Sequence, residues 1–197
     1  MTCGSSCAAK RAAHRVFDSV CDVIEGRLKL KVNREKSSIR HAAQATLLGF
    51  GFFLHGGQVK IVVAPKAITR LKDQLRGLTR RNGGVSMDYR IGAINRFTTG
   101  WMAYFRLADS ASPFRDLDGW LRRRLRQIHW KTAAARRHNL RIRGISERNA
   151  RQWGGSGKGY WRVAGSGILH VALPNTYWDR LGLKTLSQTW QRLYQTA

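Results

Sequence analysis

The residues best suited to chemistry are the basic side chains in the second half of the sequence. Between Leu121 and Arg151, eleven Lys or Arg residues face a single acid, Glu147. Trp120 and Trp130 lie among them. Dense cationic charge with interleaved aromatic rings is typical of surfaces that bind polyphosphates. The pattern therefore predicts a polyanionic partner. The eleven residues are Arg122, Arg123, Arg124, Arg126, Lys131, Arg136, Arg137, Arg141, Arg143, Arg148 and Arg151.

The arginines differ in whether an acid lies nearby in the sequence. Three of them, Arg96, Arg106 and Arg115, are close to Asp109, Asp116 and Asp118, and can form surface ion pairs of little energy. Five others have no local acid and are the better candidates for phosphate contacts: Arg122, Arg123, Arg126, Arg136 and Arg137. The sequence predicts that Arg122, Arg123 and Arg126 project from one exposed side of a helix.

Candidates for catalysis by bound metal are weak. Asp18 and Asp22 share a helical face at i,i+4, and Glu25 and Glu35 are the other acids nearby. Metal-dependent nucleotidyl transfer needs carboxylates clustered around two ions. We interpret Asp18 and Asp22 as solvated acids on an amphipathic helix, and we expect no catalytic residue here.

Cysteines and glycines give no cofactor site either. Cys3, Cys7 and Cys21 are odd in number and lie at one end, whereas a zinc site takes about four ligands in paired spacings. Reduced thiols are the better interpretation. The glycine-rich run 154–167 lacks the Ser or Thr that follows Gly-Lys in a phosphate-binding loop, because Gly159 comes after Lys158. We expect neither metal nor cofactor.

Two helices must position the basic residues. In residues 86–108, apolar side chains recur every three or four positions on one face, and residues 113–137 repeat this pattern. Gly100 within the first helix predicts a close helix–helix contact. Ser112 and Pro113 predict an N-cap hydroxyl followed by proline at the first helical position. The apolar faces are Met87, Ile91, Ile94, Phe97, Trp101 and Phe105, and then Leu117, Leu121, Leu125 and Ile128.

The first 84 residues predict a mixed arrangement. Residues 8–26 form an amphipathic helix, and residues 28–32 alternate as a half-buried strand with Lys29 and Lys31 on its open face. The apolar run 47–54, the turn 55–58 and residues 59–63 predict a β-hairpin. Pro65 begins a further helix lined by Ile68, Leu71, Leu75 and Leu78.

Composition limits the class of protein. A chain of 197 residues with 43% hydrophobic content and seven tryptophans indicates a folded protein. Its net charge of +25 makes nucleic acid the expected partner. An anionic membrane is less favoured, since no stretch reaches the roughly 18 apolar residues of a span. The first residues carry no secretory signal, and we expect a bacterial cytoplasmic location.

Several motifs in the two central helices resemble the maturase-specific domain of group II intron reverse transcriptases. In that family this region is the thumb, or domain X, a three-helix element that grips intron RNA. The resemblance implies that the matching residues are mainly structural. They are Asn95 and Arg96, Gly100 and Trp101, Tyr104 to Arg106, Phe114, Leu117 and Asp118, Trp120, Leu125, Trp130 and Lys131, Leu140, and Gly144.

The N-terminal part resembles the end of the reverse-transcriptase palm. Matching segments are residues 12–16, 28–33, 36–37 and 48–50. The family's catalytic Tyr-Ala-Asp-Asp turn lies upstream of this point, so the resemblance implies an N-terminally truncated protein without a polymerase site. A helix that lacks its palm would leave Val16, Phe17, Val20 and Leu30 poorly covered.

The C-terminal part resembles the extension of bacterial maturases that end without an endonuclease, through residues 160–162, 173–175, 177 and 182–183. Helices are expected between Thr176 and Leu193. The predicted fold is α+β: a palm remnant with a β-hairpin at 1–64, a helical maturase-specific domain at 65–150, and an extension at 151–197 that packs on it.

The function expected from these features is RNA binding that assists folding and splicing of a group II intron. Two alternatives remain: half of a split reverse transcriptase completed by a separate palm and fingers chain, or a remnant of a mobile element without function. A DNA target is a further possible partner. The RNA-binding residues predicted are Arg122, Arg123, Arg126, Lys131, Arg136, Arg137, Arg141, Arg143, Lys29 and Lys31.

Overall fold

A computed structural model describes residues 3–37, 39, 45–130 and 133–194. The chain divides into two compact units, Met1–Ala45 and Thr46–Ala197. The division predicted from the sequence, at residues 64 and 150, stays a prediction. The fold class is the predicted α+β, with one small antiparallel sheet followed by helices.

The first unit consists mainly of one helix. Helix α1 spans Cys3–Asp22 and continues into a π-helical turn at Val23–Arg27. The sequence predicted that four apolar residues of this part are exposed to solvent. This is confirmed for Val16, Val20 and Leu30, whose exposed fractions are 63%, 50% and 61%. Phe17 is half-buried. An amphipathic helix in this unit therefore presents part of its apolar face to solvent.

The strand predicted at residues 28–32 is wrong. This segment is irregular and pairs with no other strand among the described residues. The amides of Leu28 and Leu30 instead donate to carbonyls of the π-helical turn, at Val23 and Ile24. Lys29 has a left-handed φ of 54°, which breaks the extended conformation that its alternating pattern predicted.

The second unit opens with the predicted hairpin. Strand β2, Phe50–His55, pairs antiparallel with β3, Gln58–Val63, and a short β1, Thr46–Leu47, adds to its other edge. Gly56 and Gly57 form the turn with φ of 57° and 76°, both in the region that a two-residue type I′ turn requires. The apolar run 47–54 is not one strand, because a turn at Leu48 and Gly49 divides it.

Three long helices form the main core. Helix α2 spans Pro65–Leu78, α3 spans Met87–Phe105 and α4 spans Ser112–His129. The predicted faces are confirmed: each helix turns its apolar residues into one cluster. The fully buried members include Leu71, Leu75, Ile94, Leu121 and Leu125.

Two details of these helices differ from the prediction. Ser112 is the first helical residue, and the N-cap residue is Ala111, which has no capping side chain. Helix α4 also stops at His129 instead of running to 137. Trp130 leaves the helical conformation, at ψ 74°, and buries its indole with only 1% exposed in a second cluster. We infer that burying the indole stabilises the fold more than a further turn of α4 would.

Six shorter helices follow in the described chain. Helices α5, Ala133–Arg141, and α6, Glu147–Gly154, pack together, and then come α7, Tyr160–Ala164, α8, Gly167–Ala172, α9, Asn175–Arg180, and α10, Leu186–Tyr194. The last two confirm the helices expected between Thr176 and Leu193. Helix α10 packs on α3 and α4.

Two family-motif residues attach this last segment to the long helices. Asp118 on α4 is 4% exposed, and its carboxylate accepts from the amides of Leu186 and Ser187 and from the Ser187 hydroxyl, at 2.6–3.0 Å. Asn95 on α3 donates to the Gly182 carbonyl and accepts from the Lys184 amide. Both side chains thus form hydrogen bonds with backbone groups of α10 or of the segment that precedes it.

Gly100 does not make the predicted helix–helix contact. It is exposed, and a Cβ added there would meet nothing within 4 Å. The close approach lies at Gly154, where a Cβ would come within 3.3 Å of backbone atoms of Arg137. Gly154 thus allows α6 to pack directly against α5.

Candidate nucleic-acid interface

The arginines of α4 extend to three different parts of the second unit. Arg124 donates to the Thr79 hydroxyl and to backbone carbonyls at the end of α2, while Arg123 donates through Nε and Nη2 to the Trp161 carbonyl at 3.0 and 2.8 Å. Arg126 donates to the Leu173 carbonyl. These guanidinium groups connect α4 to neighbouring segments by bonding to neutral carbonyls.

Arg126 does not lie on an exposed face, so that prediction is wrong. Its exposed fraction is 3%, and its Nη1 lies 3.3 Å from His170 Nε2. Burial, together with the charge of Arg122, lowers the pKa of Arg126 below its usual value. Burial also lowers the pKa of His170, with further contributions from the charges of Arg126 and Arg123. Arg126 is therefore a structural residue in this fold.

Replacing Arg126 by alanine is expected to lower the free energy of unfolding by about 2 kcal/mol, because it leaves a cavity and removes the donor to the Leu173 carbonyl. Urea unfolding measures this change. Arg115 is exposed on the same helix, so Arg115→Ala is the matched control and should change stability by less than about 0.5 kcal/mol. Equal effects of the two substitutions would contradict the buried role.

A cluster of arginines and exposed aromatic rings lies where α4 meets α7. We call Arg81, Arg123, Arg136, Tyr160 and Trp161 the arginine–aromatic cluster. The Arg81 guanidinium carbon is 3.4 Å from the Tyr160 ring centroid, and that of Arg136 is 5.5 Å away. The Arg123 guanidinium carbon is 4.1 Å from the Trp161 centroid. Tyr160 and Trp161 are each 39% exposed, so solvent reaches the cluster.

The loop between α2 and α3 positions Arg81. Arg90 is 3% exposed on α3 and donates to the carbonyls of Leu78 and Gly83, on both sides of Arg81. Arg81 in turn lowers the pKa of Tyr160 through a hydrogen bond to the phenol and through its charge. The buried Arg90 therefore fixes the loop that brings the half-buried Arg81 to the Tyr160 ring.

A second group of cations surrounds Glu147 at the start of α6. Arg137 and Arg151 bond to its Oε1, and Arg141 Nε lies 2.8 Å from Oε2. Hydrogen bonds from Arg151 and then Arg137 lower the pKa of Glu147. One carboxylate is shared by three guanidinium groups, so the group keeps excess positive charge. Arg148 beside it is exposed.

The other predicted RNA-binding residues are dispersed. Arg122 is half-buried on α4, and its buried Nε has no partner within the described structure. Arg143 is half-buried and donates to the Asn139 carbonyl. Lys29 and Lys31 are exposed on the irregular segment of the first unit. Lys131 lies outside the described residues. RNA contact by any of these residues stays a prediction.

Most of the family-motif aromatics pack inside the protein. Trp101 stacks near Phe105, with ring centroids 4.3 Å apart, and Phe114 is fully buried beside it. Tyr104 is 51% exposed, with its hydroxyl donating to the Leu48 carbonyl. Trp120 is half-buried in the same core. Trp130 is buried as well. The mainly structural role that the resemblance implied for these residues stays a prediction.

The binding residues expected from the sequence did not include Tyr160 and Trp161, which the structure adds as candidates. The signal was present, since two adjacent aromatics stand between Lys158 and Arg162 in a glycine-rich segment. Both of these flanking cations are exposed.

Two other kinds of feature, metal clusters and membrane spans, are missing from the described part of the chain. No three or more His, Cys, Asp or Glu residues there are arranged to hold a metal ion. No helix within those residues combines the length and the apolar character needed to cross a membrane.

Comparison with known families identifies the central helices. Residues 68–144 match the family described as group II intron, maturase-specific domain. The match begins within α2, covers α3 to α5 and ends at Gly144, where the resemblance based on motifs also ends. No curated protein matches the chain significantly.

Proposed function

We propose that this protein is a maturase-type RNA-binding protein that holds group II intron RNA in a splicing-competent conformation. The family match at residues 68–144 supports a maturase function, and a maturase-specific domain is not itself catalytic. The observation that carries the proposal is the arginine–aromatic cluster, which joins helix α4 of the matched domain to the exposed rings of α7.

The excess of basic residues in the second unit supports a polyanionic partner. Residues 46–197 contain 27 Lys or Arg and seven acids. Of the five ion pairs in the described structure, three are made to Glu147 alone. Most cations therefore keep an uncompensated charge that phosphates can neutralise.

The mechanism proposed is binding. Guanidinium and ammonium groups would contact phosphates of the folded RNA, because structured RNA is recognised largely through shape and backbone. Preferential binding to the folded form shifts the RNA population towards it. The intron would then perform the cleavage and joining reactions itself, and no residue of this chain is assigned to a chemical step.

The test is splicing of a group II intron transcript at limiting Mg²⁺, with and without the full chain. We expect faster splicing and a retarded RNA–protein complex. Replacing Arg148, Lys158 and Arg162 with glutamine removes three exposed charges near the two cation groups and should weaken binding at least about tenfold. Lack of complex formation at low salt would contradict the proposal.

The matched control removes equal charge elsewhere. Lys66, Arg70 and Arg106 are exposed on and after other helices, and their glutamine variant should retain most of the affinity. Equally weakened binding in both triple variants would show that net charge, and not this surface, determines binding.

A second candidate is half of a split reverse transcriptase. The exposed apolar residues of α1, Val16 and Val20, favour it because such a face suits contact with a separate palm and fingers chain. Primer extension on an RNA template, with and without that second chain, discriminates between the two candidates.

A further inference from the structure

We infer that Tyr160 and Trp161 form a stacking platform for unpaired RNA bases, supported by Arg81, Arg123 and Arg136. This rests on the proposed RNA-binding function and names the part of the RNA that the surface recognises. Tyr160 and Trp161 are adjacent, each is 39% exposed, and the guanidinium groups of the three arginines lie beside their rings. Every base has a π-face, so exposed aromatic rings on a cationic surface suit single-stranded RNA.

The rings are held in place by their arginines. The guanidinium carbons of Arg81 and Arg123 lie 3.4 and 4.1 Å from the Tyr160 and Trp161 centroids. Arg123 is itself fixed by its two bonds to the Trp161 carbonyl, and Arg136 Nη1 donates to the Ser156 carbonyl. An ordered ring loses less conformational entropy when a base stacks on it.

The same arginines can also engage the phosphate next to a stacked base. A guanidinium group carries five N–H donors, and the two bonds from Arg123 to the Trp161 carbonyl occupy only part of that set. Stacking and phosphate contact are thus available within one cluster. This combination favours an unpaired nucleotide over a duplex, because duplex bases are already stacked on one another.

Other tryptophans in the basic region are less suitable. Trp130 is 1% exposed, which excludes stacking on a base. Trp120 packs against the main core, and Lys72 and Arg76 lie 5.7 Å from its centroid. We therefore assign the stacking role to the rings of α7 and not to Trp120 or Trp130.

The test compares two RNA probes of equal length with the full chain. One is a hairpin with an unpaired bulge containing 2-aminopurine, and the other is the fully paired duplex. Binding of the wild-type protein should change the 2-aminopurine fluorescence of the bulge. Tyr160→Leu and Trp161→Leu should each lower affinity for the bulged RNA at least about fivefold, with duplex affinity and salt dependence unchanged.

Two further variants separate stacking from folding. Trp161→Phe keeps an aromatic ring and should retain most of the affinity. Tyr89, which is 65% exposed on α3, provides a control, since Tyr89→Leu should have no effect. Bulge binding by the wild type without a fluorescence change, or an equal decrease in affinity for both probes, would overturn the inference. Failure of the wild type to bind either RNA would instead contradict the proposed function.

Discussion

Affinity for structured RNA is expected to fall about a thousandfold when monovalent salt rises from about 50 to about 200 mM. This follows if about six phosphates are neutralised, because each neutralised phosphate releases condensed counterions and steepens the dependence of log K on log salt. The net charge of +25 and the scarcity of ion pairs in the described residues support this number of phosphates.

Filter binding or fluorescence anisotropy over this salt range measures the slope. The Arg148, Lys158 and Arg162 glutamine variant should reduce the slope by roughly one unit for each phosphate that it no longer neutralises. A flat dependence in the wild type would show that the basic residues do not bind phosphates, whatever the affinity.

Replacing Asp118 by alanine is expected to lower the free energy of unfolding by about 3–5 kcal/mol. The buried carboxylate accepts from the Leu186 and Ser187 amides and from the Ser187 hydroxyl. Hydrogen bonds to a charged group contribute about 1.5–3 kcal/mol each, and their removal leaves buried donors unsatisfied. The backbone amides of α10 should then exchange with solvent faster than those of α3 and α4.

Urea unfolding and amide exchange check both parts of this prediction. Asp116 lies two residues away on the same helix and is exposed, so Asp116→Ala is the matched control with an expected change within about 0.5 kcal/mol. If Asp118→Ala is as stable as Asp116→Ala, the carboxylate does not hold the C-terminal segment.

The elements with regular apolar spacing were predictable from the sequence. Helix α2 and the hairpin begin or end within a few residues of their predicted positions, because Pro65 and the Gly56–Gly57 turn mark them. Helix α3 does so through its apolar spacing. The strand at 28–32 failed for a physical reason. Alternation alone does not supply a partner strand, and the amides bonded to the preceding helical turn instead.

The candidate site was only partly predictable, because nearby acids are the only arginine partners that a sequence makes visible. Arg123, Arg124 and Arg126 have no acid nearby in the sequence, yet all three bond to carbonyl oxygens of distant segments. Any residue type supplies a carbonyl, so no sequence pattern marks such a partner. The sequence shows Tyr160 and Trp161 between two cations, but their position beside the arginine of α4 is visible only in the structure, where α7 packs against α4.

Carbonyl-bonded arginines would also make folding and the proposed RNA binding interdependent. A guanidinium that crosslinks two segments through a neutral oxygen retains its full positive charge, so the crosslinks hold the fold together without relieving its self-repulsion. If RNA is the partner, as proposed, its phosphates would relieve this repulsion in the native state and stabilise the fold by mass action. The free protein and the proposed RNA complex are then expected to respond to salt in opposite directions: screening stabilises the first and dissociates the second.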